Sequence, residues 1–230
     1  PGRNWDQLRV SVCYSNLNVK VIGAHTGLSV GPDGATHQAL EDIAITRVLP
    51  NLIVVVPCDY EEAKKATHAI AEHKGPSYLR LTREKYPVFT RKNSKFEIGK
   101  ANVLREGKDI TLIACGPLVY EALKAANELY SGHLISCEVI NNHTIKPLDE
   151  KTILESAKKT KAIITIEEHQ INGGLGSAVC EFISENFPVK IKRIGMQDKF
   201  GESGEPAELL EKYGMSASHI MVAVRHLHNI

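Results

Sequence analysis

Apolar positions along this chain fall into two alternating patterns, short and mostly apolar runs of four to seven residues and longer stretches spaced by three and four. The runs Val19–Ile22, Asn51–Val56 and Ser77–Leu81 read as buried strands, because they are short, mostly apolar and bounded by turn formers. Between them, Ala39, Leu40, Ile43, Ala44 and Val48 follow helical spacing, and Pro1 to about Tyr14 reads as a helix with Trp5, Leu8 and Val12 on one face. Asp59 followed by Glu62 is a helix-entry signature, and Ala63, Ala66 and Ile70 continue that helix until Gly75-Pro76 stops it.

From Tyr86 to about Lys95 the pattern breaks into polar, irregular sequence, and residues 91–97 read as a linker. Alternation then resumes. Strands are predicted over Ile110–Ala114, Leu134–Ile140, Ala162–Ile166 and Val189–Ile194, and helices over Val119–Leu129, Asp149–Ala157, Gly176–Glu185, Pro206–Tyr213 and Ser216–Leu227. Strand followed by helix, repeated, argues for an α/β fold of two domains, residues 1–90 and 98–230, each a mostly parallel sheet flanked by helices.

Composition changes this picture little. At 43% hydrophobic, 24% charged and a formal net charge of +1, the chain has the make-up of an ordinary globular enzyme, and so balanced a charge implies no nucleic acid partner. No apolar stretch approaches the roughly 20 residues of a membrane helix. Cys13, Cys58, Cys115, Cys137 and Cys180 are odd in number, far apart and mostly inside apolar runs, which fits buried thiols in a reducing cytoplasm better than a disulfide frame or zinc site.

The candidate chemistry is concentrated in one segment. His25-Thr-Gly-Leu-Ser-Val-Gly-Pro-Asp33-Gly-Ala-Thr-His37-Gln38 places two imidazoles and a carboxylate in a glycine-punctuated connection between a strand and a helix. Connections at the carboxyl ends of strands are where open α/β sheets bind ligands. Imidazoles can move protons near neutral pH, and a carboxylate can fix a hydroxyl by a charge-assisted hydrogen bond. On residue type alone, Asp33 as a turn cap and the histidines as solvated loop residues explain the segment as well. Arg83, just past a strand, is either a guanidinium fork for a phosphate or a surface charge.

The segment Asp33-Gly34-Ala35-Thr36-His37-Gln38, with His25 upstream, resembles the sugar-recognition loop of transketolases. The resemblance continues through Leu40-Glu41-Asp42-Ile43-Ala44, Val56-Pro57-Cys58-Asp59, Gly75-Pro76-Ser77-Tyr78-Leu79-Arg80-Leu81-Thr82-Arg83 and Ile166-Glu167-Glu168-His169 with Gly173-Gly174-Leu175-Gly176, and so covers nearly the whole chain. It implies a pyrimidine-binding domain followed by a transketolase C-terminal domain, with thiamine diphosphate and a divalent metal, Mg2+ or Ca2+, as cofactors. It further implies that His25 and His37 line the sugar and cofactor end of the channel as catalytic groups, His37 toward the cofactor. Asp33 would read the donor's C2 hydroxyl, and Arg83 would hold a sugar phosphate. Arg80, three residues before Arg83, points to the opposite face if the strand persists that far and reads as a surface or interface charge, while by the resemblance Glu167-Glu168-His169 and the following glycines serve helix–strand packing and capping.

The resemblance also places Pro1 inside the pyrimidine-binding domain, beyond the glutamate that activates the cofactor's aminopyrimidine and beyond the diphosphate- and metal-binding domain. Neither Glu41 nor Asp42 replaces that glutamate, since both lie on the helix after the loop. The chain is therefore expected to turn over no substrate alone, to need an N-terminal diphosphate-binding section or subunit, and to form a homodimer. Related readings are a 2-oxoacid dehydrogenase β subunit, which has no reason to carry Asp33 and His37, and deoxyxylulose phosphate synthase, whose loop ends in His-His where His37-Gln38 stands here. A non-catalytic binding or regulatory paralogue is the alternative from another class.

Overall fold

The computed structural model describes residues 2–228 as two sheets with helices packed against them. In the first sheet, β1 (Lys20–Gly23), β3 (Ser77–Arg80) and β2 (Ile53–Val55) lie side by side and parallel. The second has the order β4 (Asn102–Arg105), β6 (Cys137–Asn141), β5 (Ile110–Ala114), β8 (Ala162–Gln170), β9 (Lys190–Met196), all parallel except the edge strand β4. The helices are α1 (Trp5–Gln7), α2 (Asp42–Arg47), α3 (Tyr60–Glu72), α4 (Leu118–His133), α5 (Glu150–Thr160), α6 (Leu175–Asn186), α7 (Pro206–Lys212) and α8 (Ala217–His228). The α/β class with mostly parallel sheets is as expected.

One strand joins the two units. Thr144–Lys146 forms β7, which pairs antiparallel with β2 and so completes the first sheet with residues from beyond the polar segment. The apolar core is correspondingly continuous: Val54, Val56 and Tyr78 pack in one cluster with Ile113, Ile140, Ile163 and Leu175. Leu28 and Leu40, from the loop before α2, are built into a second cluster with Leu112, Ile164, Met196 and Leu209. The loop is thus anchored by apolar side chains in the core of the C-terminal unit. Burying a leucine of this kind stabilises by roughly 1.5–3 kcal/mol.

Several elements differ from expectation. The N-terminal helix is α-helical only over α1, between a 3-10 turn at Gly2–Asn4 and a π-helical stretch at Leu8–Tyr14, and Pro1 lies outside the described residues. Helix α2 starts at Asp42 instead of Ala39, because Ala39 pairs with Thr26 in an isolated bridge, and Val48 is 65% exposed. Strand β8 runs on to Gln170, placing Glu167, Glu168 and His169 on a buried strand. All five cysteines are free, and four are buried. No helix among the described residues is long and apolar enough to cross a membrane.

The helix-entry signature at Asp59 is realised in both directions. Asp59 Oδ1 accepts from Glu62 N at 2.9 Å, and Glu62 Oε2 accepts from Cys58 N at 2.8 Å. The same aspartate also accepts from Phe89 N at 2.9 Å and Thr90 N at 2.7 Å, tying the start of α3 to the segment that leaves the first sheet. Burial alone would raise its pKa, but the hydrogen bonds from Glu62, Thr90 and Phe89 outweigh burial and hold the carboxyl below its usual range. Its stabilising contribution is therefore present above the unfolded value of about 3.9 and lost as pH falls through the lower folded one. Asp59→Ala is expected to cost about 2 kcal/mol in urea melts at pH 7, with the deficit narrowing toward pH 3. A deficit independent of pH would show that the lost contribution is not that of the carboxylate.

Candidate functional site

The connection between β1 and α2 is held at its two ends by backbone. Thr26 N donates to Leu81 O at 3.2 Å and Gly27 N to Ala39 O at 2.9 Å, so the loop closes on itself beside the carboxyl end of β3. Its first part, Leu28–Asp33, is a 3-10 turn interrupted at Gly31, whose φ of +73° is a left-handed conformation that favours glycine. A Cβ on Gly31 would also stand 3.1 Å from the Gly204 carbonyl oxygen, so the C-terminal unit braces the turn from outside. Gln38 completes the frame from within, its Nε2 donating to Leu28 O at 3.0 Å and to Glu202 O at 2.9 Å.

On this frame the polar groups point outward. Asp33 Oδ1 and Arg83 Nη1 form an ion pair at 2.9 Å, with 41% and 37% of their side chains exposed, and Arg83 Nη1 also donates to Val30 O at 3.2 Å. His25 is exposed with φ +55°, and His37 is exposed with Nδ1 3.0 Å from Thr36 Oγ1. The structure therefore brings Asp33 and Arg83 into direct contact, although 50 residues separate them in sequence. Neither imidazole hydrogen-bonds to that pair among the described residues. A cleft of ≈ 510 Å³ opens at the carboxyl ends of β2 and β3, lined by Asp59, Tyr60, Thr82, Lys85 and Tyr86, beside Arg83 in the chain.

Arg80 is not a surface or interface charge. It is 2% exposed, and its Nε donates to Asp42 Oδ2 at 2.8 Å while Tyr78 OH donates to the same oxygen at 2.7 Å. Its Nη2 reaches Ala39 O at 3.2 Å and Glu168 O at 2.9 Å, so one guanidinium links the end of the loop, the start of α2 and strand β8. Burial would raise the Asp42 pKa, but the Arg80 charge and hydrogen bond hold it below the usual carboxylate range. The pairing was hidden from sequence because Asp42 and Arg80 belong to different elements. A usable signal existed in Tyr78 and Arg80, which are two residues apart on a strand and so share a face.

Glu167 and the glycines after it do serve packing and capping. Glu167 accepts from Leu175 N at 2.7 Å and Gly176 N at 2.8 Å, and a Cβ on Gly176 would meet Thr165 Oγ1 at 2.7 Å. His169 Nδ1 lies 2.6 Å from Gln170 O and Nε2 accepts from Ala44 N at 3.3 Å, a bonding pattern that assigns the proton to Nδ1. Among the described residues no group of three or more His, Cys, Asp or Glu side chains is arranged to hold a metal ion.

Comparison with known proteins finds one family along nearly the whole chain. The family model for the transketolase pyrimidine binding domain matches residues 2–88, and that for the transketolase C-terminal domain matches residues 99–220. The 6-deoxy-6-sulfo-D-fructose transketolase subunit SqwH of Clostridium sp. (strain MSTE9) is 44% identical over 96% of this chain and 69% of its own length. A putative transketolase C-terminal section from Methanocaldococcus jannaschii is 45% identical over 95% of this chain and 69% of its own length. Among solved structures, a split gene transketolase described as an inactive beta4 tetramer superposes with a TM-score of 0.93 at 42% identity, covering 99% of this chain and 73% of that one. The chain belongs to the transketolase family.

Proposed function

We propose that this chain is the C-terminal subunit or section of a transketolase, which transfers a two-carbon ketol unit from a ketose to an aldose with thiamine diphosphate and Mg2+ or Ca2+. The observation that carries the reading is the Asp33–Arg83 pair, which presents a hydroxyl acceptor and an anion fork side by side, half-exposed, where a loop braced by both units meets the segment after β3. Thiamine diphosphate supplies the carbon centre that takes up the ketol unit, and its metal-bound diphosphate is assigned to an N-terminal partner section. This chain's groups work on the sugar. Asp33 accepts a hydrogen bond from the donor hydroxyl next to the carbonyl, and His25 and His37 exchange protons with the sugar oxygens at the reacting end, His37 nearer the cofactor.

Arg83 then holds the donor's far terminus. A guanidinium fork fits any tetrahedral anion there, phosphate or sulfonate, and the relative named for 6-deoxy-6-sulfo-D-fructose supports a donor with an anionic end. An oxyanion entering the site competes with Asp33 for Arg83 and releases the carboxylate for its hydroxyl. The two recognition events are in this way coupled through one ion pair. The active enzyme is read as a homodimer of such assemblies in the cytoplasm, each site completed by the diphosphate-binding section.

The test is reconstitution. With thiamine diphosphate and Mg2+ at 100 times its dissociation constant, a competent site gains about 2.7 kcal/mol, several degrees in Tm for a chain of this length. That shift is expected only when the partner section is added, together with ketol transfer. A shift of that size on this chain alone would refute the assignment of the diphosphate anchor to the partner. Mixtures that bind cofactor but never transfer ketol units would favour a non-catalytic paralogue.

A further inference from the structure

Glu168 has no part in the chemistry above, yet it reaches across from β8 of the C-terminal unit into the loop that carries His25, Asp33 and His37. It is 1% exposed. Its Oε1 accepts from the backbone amide of Ser29, and its own carbonyl accepts from Arg80, the guanidinium that also grips Ala39 and Asp42. Gly27, at φ +86°, lets the loop close on this carboxylate: a Cβ there would stand 2.6 Å from Glu168 Cδ. Glu168 Oε2 and Ser29 Oγ are both buried without a hydrogen-bond partner.

Only Val30, Gly31 and Pro32 separate Ser29 from Asp33, and they form one tight turn whose outer side is fixed against Gly204 and Pro206. Little freedom remains to absorb a displacement of Ser29, so it passes to Asp33. Because Val30 O is also bonded to Arg83, the same displacement reaches the anion fork. A carboxyl oxygen suits this task, since it can accept from the Ser29 amide whether or not the group is ionised. Burial pushes the Glu168 carboxyl up, against the opposing pull of the Arg80 charge and of the Ser29 amide.

We propose that Glu168 is a positioning residue, through which the C-terminal domain holds Ser29 and thereby sets Asp33 and Arg83 in register for the donor sugar. The part concerning the sugar rests on the function proposed above. Hydrogen exchange on the full chain reads the positioning directly, and kinetics of the assembled two-section enzyme read its consequence. In Glu168→Ala the backbone amides of residues 29–34 other than Pro32 are expected to exchange at least about 10-fold faster, with those of β5 and the rest of β8 unchanged. The isosteric Glu168→Gln, which keeps an acceptor, should restore most of the protection. Gly27→Ala approaches the same contact from the loop side with Glu168 intact, and should loosen the same amides.

In the assembled enzyme Glu168→Ala is expected to raise KM for the donor roughly 10-fold, with kcat per folded enzyme within about twofold, and Glu168→Gln to recover most of that loss. A purely structural role would lower the active fraction and leave KM alone. Unchanged loop exchange in all three variants, or faster exchange spread equally over β5 and β8, would overturn the proposal. If the wild-type assembly transfers no ketol unit, the functional reading fails while the exchange pattern still decides the role of Glu168.

Discussion

Replacing Arg80 with methionine is expected to cost about 3–5 kcal/mol, the largest effect of any single substitution considered for this chain. The side chain keeps most of its apolar length, so little packing is lost. What is lost is the counter-charge of Asp42, which is 2% exposed as a side chain and otherwise accepts only from Tyr78 on that oxygen. An uncompensated carboxylate in such a place must shift its pKa upward. In the variant the folded state then binds a proton more readily than the unfolded chain, so its stability rises as pH falls. In the wild type the shift is the other way, and the contribution of Asp42 is kept until the pH drops through its lowered value. The gap between the two proteins should therefore narrow between pH 7 and pH 5. Urea melts across that range measure it. A deficit below about 1 kcal/mol, or one that widens on acidification, would mean that Arg80 is not the partner on which Asp42 depends.

The contrast between Arg80 and Arg83 shows where the sequence was legible. The apolar pattern found β3 to within a residue, and since the strand ends at Arg80, alternation along it does not reach Arg83. It could not say that the Arg80 face looks into the seam between two sheets, because the partner carboxylate lies 38 residues earlier on another element. The same limit hid β7, three residues long with one large apolar side chain, whose pairing partner β2 is far away in sequence. Local signals were read well: the reciprocal bonds of Asp59 and Glu62 lie within one turn, and the Gly174-Leu175 entry to α6 lies beside its cap Glu167. The loop itself was visible from its residue types. Its anchoring was not, since Gln38 and Ser29 are held by Glu202 and Glu168 and Leu28 by an apolar cluster of the other unit.

In the assembled enzyme, Arg83→Ala is expected to raise KM for donors with a phosphate or sulfonate terminus by roughly 10- to 150-fold, the equivalent of about 1.5–3 kcal/mol for charged hydrogen bonds. Donors that end in a hydroxyl should change little. The fold should hardly respond, because Arg83 and Asp33 are more than a third exposed and such pairs contribute at most about 1 kcal/mol. Arg83→Lys keeps the charge but loses the fork, and should fall between. Asp33→Ala acts on the other half of the pair: it should relax discrimination between donors epimeric at the hydroxyl next to the carbonyl, since the wild-type site leaves a carboxylate unpaired with the wrong epimer. Because the two side chains bond each other in the free chain, their effects are not independent. Arg83→Ala frees Asp33 from a competitor and should slightly tighten neutral donors, while Asp33→Ala frees Arg83 for the anion and so should weaken anionic donors less than neutral ones. Matched anionic and neutral donors, each with its epimer, assayed against the two single variants and the double variant, separate these contributions. A uniform loss over all donors would mean that Arg83 holds the loop through Val30 and does not touch the substrate.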